Sequence, residues 1–143
     1  MSINVEVTAT VNRRVADAFR IFATNHVQNH PRWDSDISLE QISDGPVGPG
    51  TKIKRINTRS GSPIEGTMEV VEYEFNKKFG MYTKEGSTEF RGLTLFEEID
   101  SDHTILTHKI EFFGMDEVTD EKSMTALVQG AIQNHKGFIE SET

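Results

Sequence analysis

The segment VTDEKSMTALVQGAIQNHKGFIE, residues 118–140, constrains the folding of this 143-residue chain more than any other. With residues placed about 100° apart, Met124, Leu127, Val128, Ala131, Ile132, Phe138 and Ile139 gather within about 140°. Lys122, Gln129, Gln133, Lys136 and Glu140 lie opposite. Asp116, Glu117, Asp120 and Glu121 crowd the start, where the helix dipole favours acids. A helix of this length reaches roughly 33 Å at about 1.5 Å per residue. It is long enough to cross a whole sheet and needs an apolar surface of that length to lie on.

The preceding residues supply such a surface. INVEVTATV (3–11) places Val5, Val7, Ala9 and Val11 on one face, with Asn4, Glu6, Thr8 and Thr10 on the other, as a half-buried strand requires. Further strands are expected at 37–42, 51–57, 65–75, 79–84, 87–99 and 103–113. Short connections such as NKK and DSD imply an antiparallel meander. Between the first two strands, Asn12 stands where a helix N-cap is wanted, and VADAFRIF follows with apolar residues at helical spacing. A second short turn is expected over Asn25–Asn29, ending there because Pro31 disfavours helical geometry at His30.

The rest bounds the possibilities. No repeat, linker or low-complexity tract divides residues 1–143, so a single domain is expected. Without cysteine there are neither disulfides nor thiolate metal sites, which fits a reducing, cytoplasmic setting. No apolar run approaches membrane-spanning length. A net charge of −8 repels phosphate backbones and argues against nucleic acid as a partner. GPVGPG (45–50) lacks the Gly-Lys-Ser/Thr ending and following helix of a phosphate loop, so it reads as a strand connection.

One strand, two short helices, a run of antiparallel strands and a long amphipathic helix make an α+β chain. Here it resembles the START-like or SRPBCC superfamily, in its polyketide cyclase/dehydratase-like branch, which also includes the birch pollen allergens. The resemblance covers residues 3–140. It is carried by the opening strand into the helix pair, HPRWDSDI entering the second strand, GPVGPGTKI in the next turn, and the closing helix. It implies a helix-grip fold, a curved sheet of about seven strands wrapped round the C-terminal helix. It also implies a cavity between them for apolar or amphipathic small molecules.

Two histidines fall on the apolar faces. His135 sits near the centre of the helix stripe, and His108 shares a strand face with Leu106, Ile110 and Phe112. Either they orient a ligand, or shuttle protons, or are core histidines satisfied by Tyr82, Thr94 or buried water. His26 and His30, four residues apart, offer only two metal ligands, and Pro31 argues against their sharing a helical turn; they read as solvated residues around a helix end. Trp33 reads as a core plug, the cavity entrance, or both. Arg91 would anchor a carboxylate or enolate if it faced inward, but STEFRGLTLFEEI can be read with either face in.

The expected cavity wall comprises Val5, Val7, Trp33, Met68, Val70, Met81, His108, Ile110, Met124, Val128, Ala131 and His135. The methionines suit an adaptable pocket. The expected function is binding of a lipid-, polyketide- or aromatic-like molecule. The alternative is a cyclase/dehydratase-type enzyme with His108 or His135 as general acid/base, since no serine stands in a nucleophile context. A protein-interaction module is the third class. Neither metal nor cofactor is expected, and whether the chain forms a homodimer is left open.

Overall fold

A computed structural model describes residues 2–114 and 121–142. β1 (Ser2–Val11) leads into α1 (Val15–Phe19), which continues as a π-helical turn over Arg20–Thr24 and then α2 (His26–Trp33). Six strands follow: β2 (Ile37–Gln41), β3 (Lys52–Asn57), β4 (Ile64–Glu74), β5 (Lys78–Glu85), β6 (Thr88–Asp100) and β7 (His103–Phe113). The chain closes with α3 (Glu121–Ser141). The expected acids Asp116, Glu117 and Asp120 and the helix start at 118 lie outside the described residues.

All seven strands form one antiparallel sheet in the order β1-β7-β6-β5-β4-β3-β2. The meander from β2 to β7 returns so that β1 pairs with β7, Val5 opposite Ile110 and Val7 opposite His108. Tight turns permit this. Asn76, between β4 and β5, has φ 63°, a left-handed conformation that asparagine tolerates better than most residues. A register shift between Val70 and Glu72 marks a bulge in β4, of the kind that bends a strand. The curved sheet holds α3 in its hollow, with Val128, Ile132 and Ile139 buried. Leu127, from the same apolar stripe, is 50% exposed. No helix among the described residues is long and apolar enough to cross a membrane.

Two local expectations need correction. Asn12 does not cap α1; Arg14 holds the N-cap position without a side-chain capping bond to the helix backbone. Instead the Asn12 backbone N–H donates to Glu140 Oε2 at 2.8 Å, tying the β1–α1 corner to the far end of α3. Nor does the helix stop before Pro31, which lies inside α2. Proline removes one amide donor, but other bonds hold this short helix. Asn29 Nδ2 donates to the Ile21 carbonyl at 2.8 Å, and the Asp34 N–H donates to the His30 carbonyl at 3.0 Å. Trp33, at the end, stacks on Phe22.

Candidate functional site

A cavity of about 380 Å³ lies between the sheet, α2 and α3. Strand alternation builds its floor in rows, because residues opposite each other on neighbouring strands point to the same side. One row runs Met68, Thr83, Phe90 and Phe112; the next contains Met81, Gly92 and Ile110; a third contains Phe79, Thr94 and His108. α3 supplies Met124, Leu127, Val128, Ala131, Asn134 and His135, while Phe22, His26, His30 and Trp33 close the side beneath the helix pair. An ideal Cβ at Gly92 would find only Ile110 Cγ1 within 4 Å, at 3.9 Å, so the missing side chain there leaves open volume.

Of the residues expected from sequence, Trp33, Met68, Met81, His108, Ile110, Met124, Val128, Ala131 and His135 converge on this cavity. Val70 does not. It is fully buried in the core cluster that also contains Ile21 and Phe22, and so does not reach the open space. Val5 and Val7 likewise belong to that core, on the edge strand against which α3 packs. Arg91 is exposed, because the inward set of β6 is Phe90, Gly92, Thr94 and Phe96. Tyr82 also lies on the opposite alternation to Met81 and Thr83, and its hydroxyl donates to the Glu89 carboxylate.

Four of the five histidines line the cavity. His26 and His30, expected in solvent, are enclosed here because α2 continues past Pro31 and turns both rings inward. The His26 Nδ1 lies 2.9 Å from the Phe22 carbonyl. A carbonyl only accepts, so Nδ1 carries the proton of the neutral ring and Nε2 is left as an acceptor. His30 Nδ1, 3.0 Å from that Nε2, must therefore donate, which leaves His30 Nε2 with a bare lone pair. On the facing wall, His108 Nδ1 meets Thr94 Oγ1 at 2.8 Å, and His108 Nε2 meets His135 Nδ1 at 2.6 Å. The Phe22 ring stands between the two pairs, 5.4 Å from His26 and 4.9 Å from His135.

Burial keeps these rings neutral. Desolvation pushes His26 down to about 4, with the Phe22 bond opposing it and the Arg55 charge adding to it. Desolvation lowers His108 to about 4 as well, helped by His26. His30 and His135 are held well below the ordinary imidazole value, again chiefly by desolvation and then by neighbouring rings. Each shows an edge to the cavity while protein surrounds it. No group of three or more His, Cys, Asp or Glu among the described residues is arranged to hold a metal ion.

Sequence reasoning missed a second polar feature. Arg55 on β3 is only 8% exposed and lines the cavity with Asn57 and Glu85. Arg55 Nε donates to Glu85 Oε1 at 3.1 Å, and Asn57 Nδ2 donates to Glu85 Oε2 at 3.2 Å. β3 and β5 are separated by β4, and the residue between Arg55 and Glu85 in that row is Gly66. A side chain there would block the pair: an ideal Cβ would sit 2.6 Å from the Lys84 carbonyl oxygen. The signal was present in TKIKRIN, where Arg55 alternates in phase with Ile53. Trp33 Nε1 and Thr83 Oγ1, both buried, have no hydrogen-bond partner among the described residues.

Comparison of the sequence with protein-family models and with curated proteins finds no match. Solved structures do match. Ara h 8.0201 superposes with a TM-score of 0.80 at 17% identity, over 99% of this chain and 100% of that one. A START superfamily protein from Mycobacterium smegmatis superposes at 0.75 with 12% identity, over 96% and 94%. The chain has the START-like helix-grip fold. A norcoclaurine synthase point mutant from Thalictrum flavum, in complex with a transition-state analogue, matches at 0.74 with 13% identity, over 97% and 94%. At such identities the helix-grip likeness establishes architecture, and the chemistry has to be argued from the cavity.

Proposed function

We propose that this helix-grip protein binds a hydrophobic or amphipathic small molecule, lipid-, polyketide- or aromatic-like, between the sheet and α3. The supporting observation is the cavity itself. Its volume of about 380 Å³ falls in the range of small-molecule sites, and apolar walls with a few convergent polar groups are what such sites use. Glycine at position 92 leaves space that a larger residue would fill. Titration with the neutral fluorophore N-phenylnaphthylamine tests the reading. Saturable enhancement is expected, with quenching of Trp33, the lone tryptophan. Unsaturable or absent response, together with no co-purifying small molecule by native mass spectrometry, retires it.

One observation favours an enzymatic reading of the same cavity, a cyclase or dehydratase acting on a polyketone. The Thr94–His108–His135 chain is hydrogen-bonded throughout, and a neutral imidazole held in it can act as a general base. With His135 Nδ1 donating to His108 Nε2, the other nitrogen of His135 would take a proton from substrate carbon, giving an imidazolium–enolate pair that is discharged when the same proton is returned to the substrate. His135→Ala should then abolish turnover of a polyketone while probe binding persists; unchanged turnover removes His135 from any mechanism.

A further inference from the structure

The ion pair over Gly66 does more than balance charge. A guanidinium has five N–H donors, and a purely structural pair would present its two-pronged edge to the carboxylate. Here only Nε of Arg55 meets Glu85, and Asn57 occupies the second carboxylate oxygen. Among the described residues, Nη1 and Nη2 of Arg55 carry no hydrogen bond, and the residue lines the cavity. Two residues from Glu85 on the same face of β5, the Thr83 hydroxyl is also unpartnered at 1% residue exposure. A buried hydroxyl without a partner is destabilising, so Thr83, with the unbonded Nη edge of Arg55 in the same cavity lining, points to a guest that completes both.

We propose that the cavity takes amphipathic acids, the ligand's carboxylate seated on the free Nη edge of Arg55 and the Thr83 hydroxyl while its apolar body lies along Phe90, Met81 and Ile110. The proposal rests on the cavity being a ligand site and names the class of guest. The fork of two parallel N–H groups matches a carboxylate's two oxygens, a geometry that an alcohol or amine cannot use. Gly66 is what allows this arrangement: by carrying no side chain it lets Glu85 hold the guanidinium from one side. The Phe90 ring, with its centroid 5.8 Å from Arg55 Cζ, lies beneath it.

Displacement of N-phenylnaphthylamine by decanoic acid, decanol and decylamine at neutral pH tests the proposal. Decanoate should displace the probe at a concentration at least about tenfold below that of decanol, with decylamine weakest. Arg55→Met alone strands the Glu85 charge and endangers folding, so both charges are removed together in R55M/E85L. That variant should keep probe and decanol binding within about twofold and lose the preference for the acid. R55K should retain part of it. Decanol equal to or better than decanoate on the unaltered protein overturns the proposal but leaves the cavity reading standing. So does an acid preference that survives R55M/E85L. Absence of saturable probe binding overturns both.

Discussion

Acid should unfold this protein through its histidines before its carboxylates matter. An imidazole with an ordinary value of 6.5 that folding lowers to about 4 binds a proton more readily in the unfolded chain. Between those pH values the unfolded state holds more protons, so stability rises with pH across the window. It is fully present above about 6.5 and drains away as pH falls towards about 4. For His26 and His108 the change is worth about 3 kcal/mol each, at 1.36 kcal/mol per decade. The two influence each other, so their sum is not strictly additive, but His30 and His135 act in the same direction. The loss is comparable with the whole stability of an ordinary domain, about 5–15 kcal/mol. The lowered carboxylates, Asp17 and Asp100, titrate below 3.8 and contribute only at lower pH. Urea unfolding followed by Trp33 fluorescence measures this directly. From about pH 7 to about pH 4.5 the midpoint should fall by 1 M or more, at a slope of about 1–3 kcal/mol/M. A midpoint that stays constant over that range would refute the assignment of these rings as buried and neutral.

Two further predictions concern the glycines of the floor. Gly92→Leu adds four carbons where only Ile110 stands near, so thermal stability should be unchanged or raised by about 1–3 kcal/mol while N-phenylnaphthylamine affinity falls at least about tenfold. Undiminished binding would place the probe elsewhere. Gly66→Ala forces a Cβ to within 2.6 Å of the Lys84 carbonyl unless the strands part. A loss of about 1–3 kcal/mol in urea unfolding is expected, together with a weakened preference for decanoate.

The fold was legible because both of its periodicities are carried by apolar residues. The α3 stripe and the alternation of β1 and β7 each bury a face that leaves no other register. The same alternation brought His108 and His135 inward correctly. It left Arg91 open, because Gly92 makes both faces of β6 look alike in sequence and only pairing with β5 and β7 fixes the phase, with Arg91 outward. Sequence reasoning failed for His26 and His30, because the rule that ends a helix before proline is local. Here tertiary ties, the Asn29 bond to Ile21 and the packing of Trp33, outweigh one missing amide donor. Arg55 and Glu85 went unseen for a different reason. A charged residue in phase with apolar neighbours reads as a surface residue unless its partner, thirty positions along the chain and two strands away, is known.

A core selected for stability alone would not be lined this way. Four histidines kept neutral by burial, and an indole N–H and a threonine hydroxyl without acceptors, all cost stability. Leucine or phenylalanine at those positions, and a side chain at position 92, would fill the volume and strengthen the fold. The polar groups are also not scattered. The Phe22 carbonyl fixes the tautomers of His26 and His30, leaving an acceptor at Nε2 of His30 in the cavity lining, while Arg55, Thr83 and Trp33 carry unbonded donors. Donors and an acceptor at fixed, separate points round an apolar space specify the orientation of a guest. On the proposed binding reading these unfilled valences are the binding determinants, and a bound ligand should raise the unfolding midpoint most in the pH range where the histidines are neutral.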